Sequence, residues 1–176
     1  MVKEATKFYR VMLLPFGEAD KSGKKLTDNT LSSLIKAVEL HNRKSFDIIV
    51  VSGGKNNAAN LMKTWLWEKK VRNDIMFPED KSEDLFDSVE RGLAKVDQMM
   101  RSQGNAKSNF TVVADSWTNR AVSLMMAGVK ISATYENSSA VVPWKRVFKM
   151  IAYSIAAISH PKGKGFLAGI IRAICG

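Results

Sequence analysis

Cysteine is nearly missing from this chain: Cys175, next to the C-terminus, is the single one. An intrachain disulfide and a cysteine-based zinc cluster are thereby excluded, and the fold must be held by packing. Histidine is almost as scarce. His41 and His160 lie far apart, and neither has a second histidine at metal-ligand spacing, so surface or helix-end roles are expected for both and no metal site is. Long apolar runs are also lacking. The longest, from Val147 to Ile158, is broken by Lys149 and falls short of the roughly 18 to 20 residues a spanning helix needs. The first seven residues hold no apolar core of a signal peptide, and the expectation is a cytoplasmic protein. Pro/Gly-rich linkers, low-complexity tracts and internal repeats are absent, and 176 residues suit one core better than two.

What is abundant is positive charge. Lys and Arg number 27 against 17 Asp and Glu, a formal net charge of +10, which favours an anionic partner. The charge is unevenly spread. Residues 137–176 hold Lys145, Arg146, Lys149, Lys162, Lys164 and Arg172 and no acidic residue, so this stretch carries +6 of the +10.

Short β-rich apolar runs alternate with longer segments of helical period, the signature of repeated βα units. Strands are expected at Phe8 to Leu14, Asp47 to Ser52, Ile75 to Phe77, Phe110 to Ala114 and Val129 to Thr134, the last at an edge. The first helix, capped by Thr27 or Asp28, would set Leu31, Leu34, Ile35, Val38 and Leu40 against the sheet. The second, capped by Asn56 or Asn57, carries Leu61, Met62, Trp65 and Leu66. A third opens at Ser82-Glu83-Asp84-Leu85 and runs to about Arg101, and a fourth covers Thr118 to Ala127, ended by Gly128. Right-handed crossovers make this a doubly wound α/β fold, a mainly parallel five-stranded Rossmann-like sheet of order 3-2-1-4-5 with helices on both faces. The single domain spans 1–176, with a core over about 8–136 and a basic helical extension over about 137–176.

In such a sheet ligands bind outside the carboxyl ends of the strands, where the strand order reverses. The first strand ends in Pro15-Phe16-Gly17-Glu18 and the fourth in Asp115-Ser116-Trp117-Thr118-Asn119-Arg120, and these loops face one another at that point. Arg120, in the first turn of a helix, is a candidate clamp for phosphate or carboxylate, or else a solvated surface arginine. Ser52-Gly53-Gly54-Lys55 joins the second strand to a helix and offers backbone N–H groups to an anion, although two glycines also serve a plain tight turn. Pro78-Glu79-Asp80-Lys81-Ser82 follows the third strand. Ser82 is placed to cap the long helix, and Glu79 to accept a ribose hydroxyl, act as a base or pair with a lysine.

Taken together, Gly17, Ser52-Gly53-Gly54, Glu79-x-x-Ser82 and Arg120-Ala121 resemble the motifs of the YdcF-like family, which includes SanA and ElyC, over about Tyr9 to Thr134. The resemblance implies a bacterial Rossmann-like domain, a pocket at these loops, nucleotide or S-adenosylmethionine-like ligands, and roles at the cell envelope. The chain departs from the pattern in places. Asn57-Ala58-Ala59 stands for the family's Ser-Glu-Ala, Leu85 and Ser88 stand for its Thr and Asn, and Trp117 stands for its histidine, so proton transfer at that position is not carried over.

Two functional expectations result. The first is a divergent YdcF-like domain binding a phosphate-bearing or nucleotide-like small molecule through Phe16, Gly17, Ser52, Gly53, Gly54, Glu79, Ser82, Asp115, Ser116 and Arg120. If it catalyses, Glu79 or Asp115 is the base, because no Ser-His-Asp or Cys-His set can be assembled. The second is a peripheral membrane or interaction protein acting through its basic C-terminal helices, Trp144 to Ile158 and Phe166 to Ile174, which could instead simply cover the sheet. Nucleic acid ranks last as a partner, since charge alone supports it.

Overall fold

The computed structural model describes residues 6–101 and 106–159. Five strands, β1 (Phe8–Leu14), β2 (Ile48–Ser52), β3 (Met76–Glu79), β4 (Lys107–Ala114) and β5 (Ala133–Asn137), form one parallel sheet of order β3-β2-β1-β4-β5. Helices α1 (Asp28–Lys44), α2 (Ala58–Glu68), α3 (Leu85–Arg101), α4 (Ser116–Gly128) and α5 (Trp144–Ser159) connect and cover it. The doubly wound Rossmann-like arrangement expected from the alternating pattern is the one observed.

The three inner strands read as near-continuous apolar runs because both faces of the sheet are covered. On one face Met12, Leu14, Ile49 and Val51 pack with Leu34 and Leu40 of α1 and Met62 and Leu66 of α2. On the other, Val11, Leu13, Val50 and Val112 pack with Phe86 and Val96 of α3, Val122 and Met125 of α4, and Met150 and Tyr153 of α5. The alternation along each strand decides which layer a residue joins.

Several element bounds differ from the sequence reading. β3 runs on through Pro78 to Glu79, which an edge strand tolerates because the missing N–H can face outward. β4 starts earlier, its Lys107 paired with Phe8. β5 begins at Ala133, not Val129. The N–H groups of Val129 and Ile131 bond back to carbonyls at the end of α4, and Lys130, at φ 59°, turns the chain that Gly128 was expected to end. Thr27 caps α1, whereas Asn57 stands at the start of α2 in the left-handed region with no capping bond from its side chain. Ile35, assigned to the inner face of α1, is 59% exposed. Its place is taken by Thr30 and Ala37, which share the stripe of Leu34.

His41 lies in the last turn of α1, where its Nδ1 accepts the Phe46 N–H at 3.1 Å. Burial, aided by the positive charge of Arg72, holds its pKa below the ordinary histidine value of 6.5. Protonation therefore favours the unfolded chain. Stability is fully present above about pH 6.5 and declines as pH falls toward the lower folded-state pKa. Urea melts between pH 7.5 and 5 should show this decline, and His41→Asn should lessen it.

Candidate functional site

The carboxyl edge of the sheet divides into two halves. Beyond β1, β2 and β3, the residues of the Ser-Gly-Gly and Glu-x-x-Ser motifs bond to one another. Ser52 Oγ donates to Glu79 Oε2 at 2.6 Å and lies 3.3 Å from Ser82 Oγ, which accepts from Ser88 Oγ at 3.2 Å. The Lys81 N–H donates to Glu79 Oε1 at 2.9 Å, the Gly17 N–H to the Ser52 carbonyl at 2.7 Å, and the Gly53 N–H to the Glu79 carbonyl at 3.0 Å. Ser52, Glu79, Ser82 and Ser88 are all buried. This is the pairing that buried polar groups require, and it joins the three loops into a closed lock.

The glycines belong to that lock. A Cβ on Gly53 would stand 2.5 Å from the Gly17 carbonyl oxygen, and one on Gly54 would stand 2.1 Å from that of Ser82. Close approach of backbone to backbone is what the glycines permit, the tight-turn alternative that the motif left open. Ser82 is likewise not the cap of α3: Asp84 Oδ1 accepts the Asp87 N–H at 2.9 Å in that position, and Ser82 turns inward.

The second half is the switch point between β1 and β4. Asp115 caps α4, its Oδ1 accepting the N–H groups of Trp117 at 3.1 Å and Thr118 at 2.9 Å, while Oδ2 accepts from Thr118 Oγ1 at 2.7 Å. Into this place reaches Arg146, from the first turn of α5. Its Nε donates to Asp115 Oδ2 at 3.1 Å, its Nη1 pairs with Glu18, and its guanidinium lies 5.6 Å from the centre of the Phe16 ring. Lys149 Nζ, one turn on, stands 4.9 Å from the same ring. Phe16 holds its buried position at φ 58°, in the left-handed region.

Arg120 is not part of this constellation. Thr118, Ala121, Val122 and Met125 form the inward face of α4, so residue 120 falls on the outer side and is exposed, as is Ser116. The arginine of the switch point is Arg146. The sequence reading counted it only among the basic residues of the C-terminal segment, because its seat opposite Asp115 follows from how α5 crosses the domain, which no local spacing encodes.

Beside Arg146 an open cavity of about 450 Å³ lies between the start of α1 and the start of α5. Its walls include Glu18, Thr27, Asp28 and Asn29 on one side and Lys145, Arg146 and Lys149 on the other. The volume is that of a small-metabolite site. With Glu18 engaged by Arg146, the lysines outnumber the remaining carboxylate of Asp28, and the amino end of α1 adds its partial positive charge. None of the sequence-derived candidates, Phe16, Gly17, Ser52, Gly53, Gly54, Glu79, Ser82, Asp115, Ser116 or Arg120, lines this cavity. Among the described residues no cluster of three or more His, Cys, Asp or Glu side chains could hold a metal ion.

Comparison of the chain with family models, curated proteins and solved structures finds no significant match.

Two substitutions probe the two halves. Gly54→Ala forces the β2 and β3 loops apart and should destabilise the protein by about 3 kcal/mol in a urea melt. Arg146→Ala leaves the buried Asp115 without its ion-pair partner and should destabilise by a similar amount, about 3 kcal/mol, while Arg120→Ala stays within about 0.5 kcal/mol of the parent.

Proposed function

We propose that this chain is a divergent YdcF-like domain that binds a phosphate-bearing or nucleotide-like small molecule at the carboxyl ends of its strands, with catalysis altered or lost. The observation that carries the reading is the cavity of about 450 Å³ beside the switch point, where Lys145 and Lys149 stand across from the first residues of α1. An anion placed there meets two ammonium groups and a helix amino end, and its apolar part meets Val141 and Pro143. S-adenosylmethionine is the further ligand class that the motif resemblance suggests.

Loss or alteration of catalysis is supported by what occupies the two carboxylates considered as bases. Glu79 is held by Ser52 and the Lys81 N–H away from the cavity, and Asp115 accepts four donors from α4 and Arg146. Neither presents a vacant oxygen to a substrate in the cavity, and Trp117 stands where the family pattern has a histidine. Binding without proton transfer is the chemistry that remains.

A thermal-shift series with adenine and guanine nucleotides, S-adenosylmethionine, sugar phosphates and inorganic phosphate tests the reading. At about a hundredfold excess over Kd, a bound ligand should add about 2.7 kcal/mol and raise Tm by several degrees. The rise should saturate, disappear in Lys145→Ala/Lys149→Ala, and persist in Arg120→Ala. A flat response to every anion, or a rise that the double variant keeps, would overturn it.

A further inference from the structure

The other side of α5 presents a different surface. Trp144, Phe148, Ile151, Ile155 and Ile158 recur at helical spacing along one stripe and are 72%, 65%, 36%, 54% and 73% exposed. The opposite stripe, Val147, Met150, Tyr153, Ala156 and Ala157, is buried in the core, so the exposed stripe points away from the domain for the whole length of the helix, roughly 24 Å. A contiguous apolar strip of this kind on a single surface helix marks an interaction site, not the scattered exposure of ordinary surfaces. We propose that the outward face of α5 docks the protein onto an anionic membrane surface, the helix lying in the plane of the interface.

Charge selects this occupant. No acidic residue occurs over 137–176, Lys145 borders the stripe beside Trp144, and the residues after α5 add Lys162, Lys164 and Arg172. A second copy of the chain, or the basic segment 160–176 folded over the stripe, would bring positive charge against positive charge. A bilayer of anionic lipid brings the complement, and an amphipathic helix with aromatic and aliphatic side chains on one face is what such an interface takes up. The paired rings of Trp144 and Phe148, 5.4 Å apart at the amino end of the stripe, suit the headgroup level. No helix among the described residues is long and apolar enough to cross a membrane, so the contact is one of lying on the surface.

The full chain should co-sediment with phosphatidylcholine vesicles containing about 30 mol% phosphatidylserine, weaken with rising salt, and leave pure phosphatidylcholine vesicles in solution unbound. Phe148→Ser/Ile155→Ser, both at exposed positions, should bind at least about tenfold more weakly with an unchanged melting curve. Brominated lipid should quench fluorescence in the parent, and Trp144→Phe should lose that part of the quenching, a readout that does not depend on the double variant's folding. Absent binding, equal binding to both vesicle types, or binding that the serine variants retain would overturn the proposal. So would a concentration-dependent dimer, seen by sedimentation, that the same substitutions dissolve. These outcomes are distinguishable from those of the nucleotide series, because neither Phe148 nor Ile155 lines the cavity.

Discussion

The guanidinium of Arg146 ties together three parts of the chain by polar contacts: Glu18 after β1, Asp115 and Thr118 at the start of α4, and the first turn of α5. Asp115 is buried, so its charge would be expensive without compensation, and the donors of α4 supply part of it. The ion pair adds little net stability of its own, because desolvation offsets most of the attraction. Its consequence is placement. A helix held only by Val147, Met150 and Tyr153 could slide along the apolar face, whereas one whose arginine must meet two carboxylates has a single register. The cavity wall formed by Lys145 and Lys149 depends on that register.

The closed half of the sheet edge explains where the open half lies. Ser52, Glu79, Ser82 and Ser88 satisfy one another, and Gly17, Gly53 and Gly54 let three loops meet at backbone contact. Nothing of ligand size fits between them. The switch point is closed in its turn by Arg146 over Phe16. Free volume at the carboxyl end therefore lies to the side, in the space between α1 and α5 that Glu18 of the β1 loop borders.

Most of the fold was legible because it depends on periodicities that a short window contains. Runs such as Ile48-Ile49-Val50-Val51 and the stripe of Leu34 and Leu40 report burial directly, and handedness does the rest. Bounds failed where a local turn overrode pattern, as at Lys130, whose left-handed backbone postpones β5 by four residues. The convergence of the β1 and β4 loops was legible, but the residues that line the cavity were not. Asp115, Phe16 and the loop of Glu18 stand at the switch point, while Ser52, Gly53, Gly54, Glu79 and Ser82 form a structural lock and Arg120 faces out. A motif shows which loops converge, but whether their polar groups face a ligand or each other depends on distances of one or two ångströms set by packing.

Helix α5 shows how far such packing can divide labour within sixteen residues. At 100° per residue, Arg146 and Lys149 fall toward the crevice, while Trp144, Phe148, Ile151, Ile155 and Ile158 fall toward the outside, and Lys145 lies at the border between them. The basic balance of the C-terminal segment thus has two destinations rather than one. Two of its cations lie over the Phe16 ring within the domain, and Lys145 stands exposed between the cavity and the apolar strip. Because Trp144, Phe148, Ile151, Ile155 and Ile158 do not line the cavity, a substitution on the strip leaves the crevice residues in place, and only Lys145 is shared between the anion chemistry of the cavity and the surface chemistry of the strip.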